Sequence, residues 1–156
     1  MSSEIIIKLL ESRGVTVDDI ADIVFALQKP YHPDLERDPC VNSVVRVLAK
    51  REVQHALYTG IALDVLAEQN ALPEPLQSIL KTDEPLYGID EILALSITNV
   101  YGTIGLTSFG YLDKEKMGII AKLNDKRNGI HVFLDDLIAG VAAAASARIA
   151  HRASNL

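Results

Sequence analysis

Cysteine is almost missing: Cys40 is the single one in 156 residues. No disulfide can close within the chain and no cysteine zinc cluster can form. A reducing, cytoplasmic setting is the expectation. Tryptophan is absent and aromatic residues make up only 5%, so a core has to be built from Leu, Ile, Val and Ala. Basic charge is in deficit, with 15 Lys and Arg against 21 Asp and Glu and a formal net charge of −6. That excludes a general nucleic-acid binder, which needs a basic face to neutralise phosphates. Long hydrophobic runs are lacking too. The uncharged stretch from Leu137 to Ala147 falls well short of the roughly 20 residues of a membrane span, so no transmembrane span is expected. Met1 to Arg13 carries Glu4, Lys8, Glu11 and Arg13, and has no signal-peptide h-region. The four histidines, His32, His55, His131 and His151, lack metal-ligand spacing. There is no Walker-type phosphate loop and no Gly-x-Ser-x-Gly elbow.

What the chain has is an apolar share of 49% against 23% charged residues, enough to bury one domain-sized core. The apolar spacing is helical almost throughout. It predicts a single all-α domain over residues 1–156, with about six or seven helices around a C-terminal helix rich in small residues. Gly14 closes a first short helix. Thr16, followed by Asp18 and Asp19, reads as the N-cap of a second. Residues 31–41 read as a loop. A long helix is expected over 44–69, with Gly60 as a mild penalty or a point of close packing. A short helix follows at 75–80, and another from Ile89 to about Val100. Gly102, Gly105 and Gly110 punctuate the next stretch. Asp113 reads as the N-cap of a helix reaching about Asp125. The last helix spans about Leu134 to His151 and carries Ala139, Gly140, Ala142 to Ala145, Ser146 and Ala147.

The acidic residues carry the chemical interest. Asp90 and Glu91 stand where one apolar helix begins, Asp113 where another is expected to begin, and Asp135 and Asp136 at the head of the last. Taken singly, each site reads as helix capping, since an acid in a first turn gains from the helix dipole. An acid pair flanked by Phe133, Leu134, Leu137 and Ile138 is nonetheless costly to bury unless it is paired or metal-bound. If these sites converge, five carboxylates meet and repel one another unless a cation joins them. Hard oxygen donors favour Mg²⁺, which commonly handles phosphate substrates. Lys114, Lys116, Lys122, Lys126 and Arg127 lie near the same segments, as a phosphate-binding group or an ordinary solvated face.

The stretch Gly129-Ile130-His131-Val132-Phe133-Leu134-Asp135-Asp136-Leu137-Ile138-Ala139-Gly140-Val141 resembles the C-terminal signature of the phosphatidylglycerophosphatase A family. Phe109 to Lys116 is similar to that family's Phe-Arg-x-x-Asp-x-x-Lys-Pro segment, and Asp90-Glu91 to its Asp-Glu-Phe-x-Gly motif, in the family's order. The resemblance covers about residues 50–150 and extends to a branch that includes low-temperature-requirement C proteins. It implies an Mg²⁺-dependent phosphatase that removes the terminal phosphate of phosphatidylglycerophosphate. It assigns Asp90, Glu91, Asp113, Asp135 and Asp136 to the metal and Lys116 to the phosphate; Asp136 or Glu91 is taken as the catalytic base. Arg127 is taken as a second phosphate ligand. The implied partner is a phospholipid at a membrane surface, reached from the cytoplasm through a peripheral docking face; a homo-oligomer is left open. Gly110 stands where the family has Arg, and Met117 and Ile119 where it has prolines. Two other readings therefore remain: a helical Mg²⁺-dependent nucleotide pyrophosphohydrolase, and a non-catalytic helical module.

Overall fold

The computed structural model describes residues 2–101 and 103–154, and among these the chain is all-helical. Local chemistry sets the first boundaries. α1 (Glu4–Ser12) ends at Gly14, whose φ of 83° suits glycine. α2 (Val17–Gln28) opens with a capping box: the Asp19 N–H donates to Thr16 Oγ1 at 3.1 Å, and the Thr16 N–H donates to Asp19 Oδ2 at 2.9 Å.

The expected long helix over 44–69 is two helices. α3 (Arg37–Leu48) begins inside the stretch read as a loop, with Pro39 in its first turn, where its missing N–H costs nothing. Lys50 is extended, with ψ 133°, and α4 (Arg51–Glu68) starts anew. The break is held by Gln54, whose Nε2 donates to the Leu48 carbonyl at 2.9 Å and satisfies the end of α3. α5 (Leu76–Thr82) and α6 (Ile89–Thr98) follow, and a short 3₁₀ turn (Asn99–Tyr101) leaves α6.

The glycine-punctuated stretch is helical as well: α7 spans Thr103–Glu115. A Cβ on Gly105 would lie 3.1 Å from the Thr98 carbonyl, so this glycine allows close backbone approach. Asp113 consequently sits in the last turn of α7 and is not an N-cap. Left-handed Lys116 (φ 49°) and Gly118 (φ 60°) turn the chain into the short α8 (Ile119–Asn124). With α9 (Leu134–Ser154), nine α-helices are present among the described residues.

α9 is the axis of the fold. Every residue from His131 to Ala147 is buried, and α2, α3, α4, α6, α7 and α8 all pack against the helix. So many neighbours fit because its side chains are small. A Cβ on Gly140 would come within 3.0 Å of the Ala94 carbonyl on α6. Ser43 of α3 donates its hydroxyl to the Ala145 carbonyl at 2.9 Å. Around the first turns of α9 the larger side chains gather, with Phe133 fully buried and edge-on to Tyr87 at 5.8 Å.

Gly60 proves to be a point of close packing. A Cβ there would collide with Leu137 Cδ1 and stand 2.9 Å from Phe133 Cβ. Gly60→Ala should therefore destabilise the protein by about 1–3 kcal/mol through overpacking. Gly110→Ala, where a Cβ meets nothing within 4 Å, should stabilise by up to about 1 kcal/mol through helix propensity. Urea unfolding followed by circular dichroism measures both.

Candidate active site

The head of α9 lies inside the protein, so its free backbone N–H groups need partners. Asp64, a fully buried residue of α4, provides them: Oδ1 accepts the Phe133 N–H at 3.1 Å and Oδ2 accepts the Leu134 N–H at 3.0 Å. Burial pushes the Asp64 carboxyl up to about 7, against the pull of these two N–H groups. The segment entering α9 is tied down further. Arg13, at the end of α1, grips Glu68 of α4 with contacts of 2.6 and 3.0 Å and donates to the Ile130 carbonyl at 2.9 Å. The Ile130 N–H returns to Glu68 Oε1 at 2.9 Å. Burial lowers the pKa of His131, and its Nε2 lies 2.8 Å from the Asn128 carbonyl. The neutral ring thus carries its proton on Nε2 and presents Nδ1 to Arg13, 3.3 Å away.

This scaffold fixes Asp135 and Asp136, which are 7% and 4% exposed. Asp135 Oδ1 accepts the Asp136 N–H at 2.8 Å. Lys116 reaches in from the end of α7. Its Nζ stands 3.0 Å from Asp113 Oδ1, 3.3 Å from Asp135 Oδ2 and 3.6 Å from Asp136 Oδ1. α6 contributes Asp90, which hydrogen-bonds Asp136, as does Asp113. All five acids predicted from sequence, together with Lys116, line one cavity of about 280 Å³.

Not every expected residue arrives. Arg127 lies outside this cavity, and its exposed guanidinium is held by Asp125 at 2.6 Å. Three residues with polar side chains join that were not foreseen: Asp83, Glu84 and Asn124. Asp64 was missed as well, although its signal was present. It is a lone carboxylate within the apolar run Leu63-Asp64-Val65-Leu66, the same kind of anomaly that drew attention to Asp135 and Asp136.

The charges in the cavity are unbalanced. Burial, the neighbouring Asp135 charge and hydrogen bonds with Asp90 and Asp113 push Asp136 up to about 10. Burial also raises Asp135, to about 6, although Lys116 works in the opposite direction. The two titrate as a pair, so near neutral pH the pair retains a proton, held chiefly on Asp136 and shared with Asp90 and Asp113. Burial works against the charge of Lys116, but Asp135, Asp113 and Asp136 outweigh it and hold the ammonium above its ordinary pKa. Burial works against ionised Asp113 too, yet Asp136 and Lys116 hold its pKa below the usual value. Among the described residues no three Asp, Glu, His or Cys side chains form a ready-made ligating cluster; the Lys116 ammonium stands among the carboxylates instead. The donor set itself suits a hard divalent cation: it is carboxylate oxygen, in excess over one lysine, with no sulfur or imidazole lining the cavity.

An all-helical domain with carboxylates and one lysine gathered at the head of a buried, alanine-rich helix is the class defined so far. The model of the family described as phosphatidylglycerophosphatase A matches residues 6–151, and the chain belongs to that family. It is 62% identical over 145 residues to the uncharacterized protein YutG of Bacillus subtilis, covering 92% of this chain and 87% of the relative. The crystal structure of YpjQ from Bacillus subtilis, at 58% identity, superposes with a TM-score of 0.94 over 98% of this chain and 95% of the other. The low temperature requirement C protein from Listeria monocytogenes, at 54% identity, gives a TM-score of 0.94 over 97% and 96%. Among the described residues no helix is long and apolar enough to cross a membrane.

The raised carboxyls have a measurable consequence. Asp136 keeps its proton in the folded state at a pH where the unfolded side chain, with its ordinary value near 3.8, has released it. Between those values the folded state binds more protons, so stability falls as pH rises. From pH 7 to 8.5 in EDTA the unfolding free energy of the wild type should decrease, and Asp136→Asn should flatten the slope. Urea titrations at the two pH values test this; equal slopes would remove Asp136 as the proton holder.

Proposed function

We propose that this protein is an Mg²⁺-dependent phosphatase that removes the terminal phosphate of phosphatidylglycerophosphate to give phosphatidylglycerol. The observation that carries the reading is the convergence of Asp90, Glu91, Asp113, Lys116, Asp135 and Asp136 on one cavity, in a chain of the phosphatidylglycerophosphatase A family. Asp90, Glu91, Asp113 and Asp135 would hold Mg²⁺, with Asp136 completing the set when ionised. Bound there, the ion supplies Lewis-acid neutralisation of phosphoryl oxygen charge.

The chain's own groups have distinct parts. Lys116 is 26% exposed in its side chain, so its ammonium faces both the carboxylates and the cavity mouth, and takes the phosphate oxygens. Asp136 would take the proton of the attacking water in its ionised form, which a cation held among the carboxylates favours, and Glu91 is the second candidate for that role. Asp64 and the Arg13–Glu68 pair keep the acidic turn of α9 in place. The cavity rim suits a lipid. Leu86 and Ile89, 91% and 49% exposed, lie in the same 83–91 segment as the rim residues Asp83, Glu84, Gly88 and Asp90.

Phosphate release from phosphatidylglycerophosphate in detergent micelles is expected with Mg²⁺ and not with EDTA. Asp135→Asn and Lys116→Ala should each lower kcat by about 10²-fold or more. Arg127→Ala should leave the rate unchanged. Absence of Mg²⁺-dependent release from well-presented lipid would overturn the reading.

A further inference from the structure

A second cavity adjoins the acidic one. It measures about 80 Å³, too small for an acyl chain, and Asp83, Asn124, Val132 and Asp135 line both. The charged residues divide between the two cavities. The acids of the smaller cavity, Asp83 and Asp135, are shared with the larger. Its lysines, Lys81 and Lys126, line the smaller cavity alone, as Lys116 lines the larger alone. Leu80, Leu123 and Ile130 add apolar lining, which strengthens the pull of an ammonium on an anion held there.

Local structure does not account for the lysine pair. The end of α5 favours a cation at Lys81. It gives no reason for Lys126, in a 3₁₀ turn (Lys126–Asn128) after α8, to line the same cavity. Asp125 stands next to Lys126 in the chain, yet pairs with Arg127 instead. Among the described residues neither Lys81 nor Lys126 is in an ion pair, and both are exposed. His131 lines the cavity too, but its Nε2 is taken up by the Asn128 carbonyl and its Nδ1 stands by Arg13. Two ammonium groups without a carboxylate partner, on one small cavity, suit an oxyanion.

The substrate proposed above supplies one. Phosphatidylglycerophosphate carries a phosphate at each end of one glycerol: the terminal monoester that is removed, and the diester that joins this glycerol to the diacylglycerol. With the monoester at Lys116 and the carboxylates, the diester falls one glycerol away. Cavities that share lining residues are neighbours on that scale.

We propose that the smaller cavity is the subsite for the diester phosphate, with Lys81 and Lys126 as its ligands and Asn124, common to both cavities, beside the bridging glycerol. The proposal rests on the phosphatase reading and deepens it. The enzyme selects a monoester that carries a second phosphate, and a lipid monoester without one, such as phosphatidic acid, lacks this hold.

The full-length protein is assayed with Mg²⁺ on phosphatidylglycerophosphate and on phosphatidic acid in the same micelles. The wild type should prefer phosphatidylglycerophosphate by about tenfold or more in kcat/KM. Lys81→Gln and Lys126→Gln change exposed positions and should each lower that preference about fivefold, mainly through KM for phosphatidylglycerophosphate. Lys122→Gln removes an equal charge outside both cavities and should keep the preference. Glycerophosphoglycerol, a soluble diester with no monoester, gives a readout without turnover. In EDTA it should shift the backbone amide resonances of Lys81, Lys126 and Val132, and the double variant Lys81→Gln, Lys126→Gln should need about tenfold more of it. Mg²⁺-dependent release with no preference between the lipids, or with the preference intact in both lysine variants, overturns the subsite and leaves the phosphatase reading standing. Absence of the amide shifts overturns the subsite as well. No release by the wild type overturns the phosphatase reading, and with it the assignment of the smaller cavity to that substrate.

Discussion

The structure depends on how the head of α9 is buried. A helix can pass through the middle of a small domain only if its first N–H groups find acceptors away from water. Asp64 meets that condition from α4 with two hydrogen bonds. The choice of a carboxylate, and not a hydroxyl from the preceding turn, has consequences. It locks α4 to α9, and it leaves Phe133 buried against Gly60 and Tyr87. It also puts a negative group at the positive end of the helix dipole. Asp135 and Asp136 then follow in the first turn, so the acidic site is a continuation of the fold's central packing.

The alanine and glycine content of α9 solves the complementary problem. A helix surrounded by α2, α3, α4, α6, α7 and α8 has little room for long side chains, and the close approach at Gly140 to the Ala94 backbone shows how tightly the backbones meet. Such packing transmits position. α6 brings Asp90, α7 brings Asp113 and Lys116, and each is registered against the same helix that carries Asp135 and Asp136.

Helical periodicity, the Thr16 cap and the small-residue helix were legible in the sequence, because each rests on local chemistry. The break at Ala49–Lys50 was not. The chain there carries no glycine or proline, and the turn is held by the Gln54 side chain, a contact that spacing does not announce. The helical state of Thr103–Glu115 was hidden for the opposite reason. Glycines that read as punctuation serve close packing, as Gly105 does against Thr98. That misplacement moved Asp113 from the start of a helix to the end of one, yet it still joined the site. Asp90, Glu91 and Asp113 were found at expected helix starts and through the family resemblance, and Asp135 and Asp136 through an argument about embedded charge that does not need exact boundaries. The same argument, applied to Asp64, would have found the residue that holds them. Arg127 was a proximity guess, and the nearby Asp125 takes its guanidinium.

Capping and function can be weighed against one another at the acidic turn. Capping favours carboxylates near the head of α9, but it is already supplied by Asp64, and the gain from further acids is at most about 1 kcal/mol each. Against that stands the burial of Asp136 deeply enough to keep its proton, with Asp135 beside it and Asp90 and Asp113 in contact. Buried like charges with one lysine among them weaken a fold; an apolar turn at 135–136 would pack into the same space at no electrostatic cost. Neither packing nor the dipole asks for Asp90 and Asp113 to come in from α6 and α7. The proposed Mg²⁺ would, because a hard cation takes oxygen ligands from more than one element. On that proposal the arrangement is a site maintained against stability, in which Lys116, the basic side chain that lines the cavity among the described residues, would serve both the carboxylates and a phosphate.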